Sequence, residues 1–220
     1  MTENKFVFAI GGLLAGLMIG FFGANALNKS AATQETLAAT NSNGAVPAGV
    51  TSMAIDELLE KANSEPQNFV VQMQTGQMYA QIGRFDQAVE FYKRGLILQP
   101  ENFQANVVLA NALFDSGKFE EAEGYYAKAL TINDKDVNAR IDLGTTFVER
   151  ANPDYDRAIK EFSTALGIDP KSEPAVYYLG IAHHRKGDTE TARTKLQELE
   201  TMNAASPLVG RLRQNIENPR

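Results

Sequence analysis

The chain holds two histidines, His183 and His184, side by side. Imidazole is the side chain best suited to proton transfer near neutral pH and to metal ligation. Neighbours on a helix point about 100° apart, however, and chelation from one helix needs an i,i+4 pair. The chain has no cysteine, which excludes thiol nucleophiles, thiolate metal sites and disulfides. Asp154 and Asp156 stand in a turn-forming stretch without a partner cluster. Phosphate-cradling glycine loops, H-E-x-x-H and G-x-S-x-G are all missing. These residues therefore point to no catalytic group, no metal site and no cofactor, and to a protein that is not an enzyme.

The elements that carry these residues repeat. The stretch Phe69 to Pro100 reads FVVQMQTGQMYAQIGRFDQAVEFYKRGLILQP. Its Gly76 is followed at the same phase by Ala110, Gly144 and Gly180, and its Ala88 by Ala122, Ala158 and Ala192. Phe85 is followed by Phe119, Tyr155 and Thr189, and Tyr92 by Tyr126, Phe162 and Leu196. Pro66 and Pro100 recur at Pro170, with Asp134 once in that slot. The steps are 34, 34 and 36 residues, so the third copy holds two extra residues, placed by the turn signal Asn152-Pro153-Asp154. Gly83, Gly117 and Gly187 suit the end of a first helix, and the prolines end a second. The small residues are expected where the two helices cross, with the alanines answering the glycines.

Period and residue types resemble the tetratricopeptide repeat, a helix–turn–helix unit of 34 residues. The resemblance implies an all-α, right-handed superhelical solenoid. Four repeats fall at about 69–102, 103–136, 137–172 and 173–206. The family's tryptophan is absent; Gln72, Asn106, Arg140 and Val176 stand in its place. His183 falls where Tyr79, Leu113 and Phe147 fall and is expected to pack. Residues 52–66 make an N-terminal capping helix and 207–220 a C-terminal one, with Ser206 as N-cap and Pro207 at the first position. A solenoid needs such ends because each repeat leaves an apolar face bare.

The 220 residues are 44% hydrophobic and 22% charged, with net charge −6 and an isoelectric point near 5.1. An acidic chain without a Lys/Arg cluster does not suit nucleic acid, whose binding runs on phosphate neutralisation. After a short polar start at 1–5, Phe6 to Leu27 is free of charge. As a helix it spans roughly 33 Å at about 1.5 Å per residue, enough for a hydrocarbon core of about 30 Å. We read it as a transmembrane signal anchor. A cleaved signal peptide is the alternative, since Ala24-Asn25-Ala26 resembles a cleavage site, but its apolar run is usually shorter. Lys5 and the free amine favour an N-terminus in the cytoplasm. That gives a single-pass protein of the cytoplasmic (inner) membrane with the repeats outside, in the periplasm of a Gram-negative cell. Gly12, Gly16 and Gly20 lie four apart on one helix face and allow a homodimer. Residues 28–51 read as a flexible linker.

The tetratricopeptide-repeat resemblance implies a protein or peptide partner held in a concave groove lined by the first helices. It places Met73, Gln77 and Gln81 of the first repeat there, with Val107, Asn111 and Phe114 of the second. The third contributes Ile141, Thr145 and Glu149, and the fourth Tyr177, Ile181, His184 and Arg185. The basic clamp that some members use for a terminal carboxylate is missing, because Met73, Gln77, Asn138 and Asp142 stand in its positions. The expected function is a membrane-tethered adaptor or scaffold. Two narrower alternatives are an accessory subunit of cytochrome c biogenesis holding apocytochrome, and a structural part of an envelope or secretion complex.

Overall fold

A computed structural model describes residues 52–217, with side chains from Ile55 onward. The start at 1–5, the apolar segment 6–27 with Gly12, Gly16 and Gly20, and the linker 28–51 lie outside the described residues. Among those described there is no strand, and no helix is long and apolar enough to cross a membrane.

Ten helices follow one another: α1 (Ser52–Ser64), α2 (Phe69–Gln81), α3 (Phe85–Leu98), α4 (Phe103–Asp115), α5 (Phe119–Ile132), α6 (Val137–Glu149), α7 (Tyr155–Ile168), α8 (Glu173–Lys186), α9 (Thr189–Asn203) and α10 (Pro207–Glu217). The middle eight pack as four pairs, each against the next. Every first helix opens on a side-chain cap. Asn68, Asn102, Asp136 and Ser172 accept from the backbone N–H three residues on, at Val71, Ala105, Ala139 and Ala175. Such a cap satisfies a donor that the helix leaves free and is worth about 1 kcal/mol.

The turn inside each pair is closed by one recurring bond. Arg84 N donates to the Tyr79 carbonyl, Lys118 to Leu113, Asp154 to Phe147 and Asp188 to His183, each at 2.8–2.9 Å. In three turns a glycine with positive φ makes this possible: Gly83 at 74°, Gly117 at 75° and Gly187 at 98°. The third turn has no such glycine and encloses two more residues within the same bond. Its slack is taken up by charge. Arg150 reaches Asp154 at 3.2 Å and Glu123 at 3.6 Å, and Arg150 and Arg157 both lie over the Phe147 ring, at 5.3 and 4.0 Å.

Close approach sets the small residues, but their partners differ from expectation. An added Cβ on Gly76 would come within 2.6 Å of the Tyr92 ring, and one on Gly144 would enter the ring of Phe162. The glycines therefore seat aromatics of the second helix, while Ala88, Ala122, Ala158 and Ala192 are themselves fully buried. In the fourth repeat Gly180 receives Leu212 of α10 rather than Leu196 of α9, at 2.7 Å from the added Cβ. The reason is chemical: α9 carries no aromatic long enough to fill the space.

The slot of the missing tryptophan is polar in three repeats and still buried or half-buried. Gln72 Nε2 donates to the Ala62 carbonyl at 2.7 Å, tying α2 to α1. Asn106 Nδ2 donates to the Pro100 carbonyl at 3.1 Å. Arg140 donates to the Asp134 carbonyl at 2.9 Å and pairs with Glu161 at 2.8 Å. Gln72 thus holds the end of α1, and Asn106 and Arg140 hold the loops that precede their own repeats. Val176, fully buried, takes the slot by packing alone.

Candidate functional site

The first helices of successive repeats, α4 with α6 and α6 with α8, touch one another directly. The second helices α3, α5, α7 and α9 do not approach one another to that degree. A stack crowded on one side and spread on the other is concave on the crowded side. The face of α2, α4, α6 and α8 is therefore the recessed one.

The thirteen residues expected there divide by exposure. Gln77, Gln81, Glu149 and Arg185 are exposed, and Met73, Val107, Asn111, Phe114, Thr145, Tyr177 and His184 are half-buried. Ile141 and Ile181 are 3% and 5% exposed and belong to the packed core. They form floor beneath the face and present little surface to a partner, because neighbouring first helices close over them.

Several members already have contacts. Met73 lies over Gly95 of α3, its sulfur 2.6 Å from where a Cβ would stand. Phe114 packs edge-on against Phe119 at 5.1 Å. Thr145 Oγ1 donates to the Asp142 carbonyl at 2.7 Å. Arg185 pairs with Glu149 at 2.8 Å, joining α8 to α6. Asn111 is not the free amide its position suggests: its Oδ1 accepts from Tyr126 OH at 2.6 Å. His184 Nδ1 is buried without a hydrogen-bond partner, while its neighbour His183 is half-buried and bonds Asp188 at 3.1 Å.

Two residues that sequence reasoning left out, Asp115 and Tyr178, and Asp142, which it named only as a clamp position lacking a base, complete this face. Asp115 ends α4, Asp142 lies on α6 and Tyr178 on α8, all half-buried. Burial pushes the Asp115 carboxyl up to about 8, with the charge of Asp142 adding to it. Burial likewise raises Asp142 to about 7, with Asp136 adding to it. Tyr126 is raised by burial and then by Asp142, Asp115 and Tyr178, so all four groups share one neighbourhood. Tyr178 stacks on Phe162 at 5.6 Å and meets Tyr177 edge-on at 5.0 Å. A signal for Asp115 existed: it stands 34 residues after Gln81, in the slot that also holds Glu149 and Arg185. The arrangement can accept hydrogen bonds, hold positive charge and cover apolar surface.

Comparison with known proteins bears on the fold. The crystal structure of MamA superposes with a TM-score of 0.63 at 22% identity, covering 69% of this chain and 87% of that one. MamA from Desulfovibrio magneticus RS-1, from residue 41 to its end, gives 0.65 at 21% over 72% and 89%. YrrB, described as a TPR protein with an unusual peptide-binding site, gives 0.64 at 18% over 74% and 82%. No curated protein matches the sequence. Tetratricopeptide-repeat models match residues 73–137 and 149–216, together more than half of the chain. With four helix pairs in sequence and this match, the chain belongs to the tetratricopeptide-repeat family.

Proposed function

We propose that the protein is a membrane-tethered, non-enzymatic adaptor that takes a protein or peptide segment onto the face of α2, α4, α6 and α8. One observation carries the reading. Val107, Phe114, Tyr177 and Tyr178 stay half-exposed on adjacent helices, beside exposed amides and two carboxyls. Apolar surface interleaved with a few polar groups is the usual make-up of a recognition site. Gln77 and Gln81 can donate to and accept from a bound backbone. The peptide-binding site named for YrrB, a protein of similar fold, adds to this reading.

The tether is the apolar segment 6–27, with the repeats on the outer side of the cytoplasmic membrane. The linker 28–51 gives a reach on the order of 25–30 Å. Confinement to the membrane raises the effective concentration of neighbouring partners. Gly12, Gly16 and Gly20 suit a homodimer through the anchor.

The test has two arms. Carbonate extraction should leave the chain in the membrane pellet, and protease added outside the cytoplasmic membrane should digest the repeats. Release into the supernatant, or protection from that protease, contradicts the tether. A photo-cross-linking residue at Tyr177 should capture a partner in the native cell, while one at Ile97 of α3, which is 78% exposed, should not. Capture only from Ile97 moves the site to the second helices.

A further inference from the structure

We propose that the bound segment carries a lysine or arginine whose cationic head seats against Asp115 and Asp142; this rests on the groove reading above. Asp115 and Asp142 come from α4 and α6, which touch directly. Neither side chain has a hydrogen bond or ion pair among the described residues. Every other half-buried carboxylate there has one. Glu123, Asp154 and Glu161 face arginines, Glu198 and Glu200 a lysine and an arginine. Glu173 accepts from Asn203, and Asp136 and Asp188 cap helices. A fold that neutralises half-buried acids so thoroughly leaves these two open on its recessed face.

The charges that act on the two carboxyls themselves are acidic. Asp142 acts on Asp115 and Asp136 acts on Asp142, with Tyr126 of α5 and Tyr178 of α8 alongside. Two cations of this face are engaged elsewhere, Arg185 on Glu149 and Arg140 on Glu161; Arg211, on α10, acts on Tyr177 and Tyr178 but on neither Asp115 nor Asp142. An anionic ligand would meet like charge at the two carboxyls. A metal ion would find two carboxyls where a hard cation takes six or more oxygens. A lysine or arginine fits better, because its aliphatic stem can lie along Val107 and Phe114 while its head reaches the acids. Near neutral pH the pair is partly protonated, and an arriving cation favours the ionised form, so binding should tighten as pH rises from 6 to 9.

A phage-displayed random dodecamer library, selected on the full-length chain in detergent, tests this. The selected peptides should share a lysine or arginine between apolar residues. Their affinity for the Asp115→Asn/Asp142→Asn variant should fall about ten- to a hundredfold, the range of a desolvated charge-assisted contact. The isosteric asparagines keep the fold, which a nearly unchanged melting profile at pH 4 verifies. Peptides that carry no basic residue, and that lose affinity on Tyr177→Ala but not on the double asparagine change, overturn the charge inference and leave the groove standing. Peptides indifferent to both changes, or no selected peptide at all, overturn the groove as well.

Discussion

Asp142 weighs against the stability of its own fold above acidic pH. Its carboxyl sits near 7 in the folded chain, against about 4 in an unfolded one. The folded state therefore binds more protons between pH 4 and 8, so its stability falls as pH rises through that window. The same holds for Asp115, near 8. Below pH 4 both states are protonated and nothing is lost. Asp142→Asn should remove much of this slope. At pH 8 the variant should be more stable by on the order of 2 kcal/mol after allowance for water at a half-buried site, and at pH 4 nearly unchanged. Melting curves across that range read the difference. Sequence periodicity could place Asp115 in a repeated slot, but burial and missing counter-ions are properties of packed neighbours that spacing does not carry. The glycines divide in the same way. Their small size was readable at Gly76 and Gly144, while the aromatic rings they receive were not, since an i,i+3 pattern gives a face without naming its partner. Gly144→Ala should destabilise by roughly 1–3 kcal/mol through overpacking on Phe162. Gly124→Ala, with open space around its Cβ, should stabilise by about 0.4–1 kcal/mol. Chemical denaturation of the two variants gives opposite signs if the packing is as described.

At the scale of elements, the period of 34, 34 and 36 residues was enough to read four helix pairs and the enlarged third turn. Proline and glycine supplied the boundaries, because their backbone limits act locally. The caps at Asn68, Asn102, Asp136 and Ser172 repeat at the same period, although the sequence reading did not draw them out. The polar tryptophan slot was visible as a departure, but its use was not. Only the folded chain brings Gln72 to the Ala62 carbonyl and Arg140 to that of Asp134. The end of the array departs most. Helix α9 cannot fill the hollow at Gly180, so Leu212 of α10 does, and α10 acts as a missing half of the last repeat as well as a cover. Leu212→Ala should cost about 2–5 kcal/mol, the range for emptying a fully buried leucine site. Hydrogen exchange should rise in α8 to α10 first and leave α2 and α3 protected. Uniform loss of protection would mean that the array unfolds only as a whole.

For the whole molecule, each repeat contacts mainly its neighbours, so the face of the first helices is held by a chain of local contacts. Exposed pairs such as Lys118 with Asp86 and Lys186 with Asp156 bridge successive repeats. Pairs this exposed contribute little each, about 0–1 kcal/mol, and the buried aromatics dominate. The recessed face carries the central claim. Its most direct test is proximity labelling in the native cell from a fusion at Arg220, run in parallel with the Gln77→Lys/Tyr177→Lys variant. The account predicts a small set of labelled proteins that disappears with the two substitutions while the chain remains folded and in the membrane. The same set labelled undiminished from the substituted chain would contradict it.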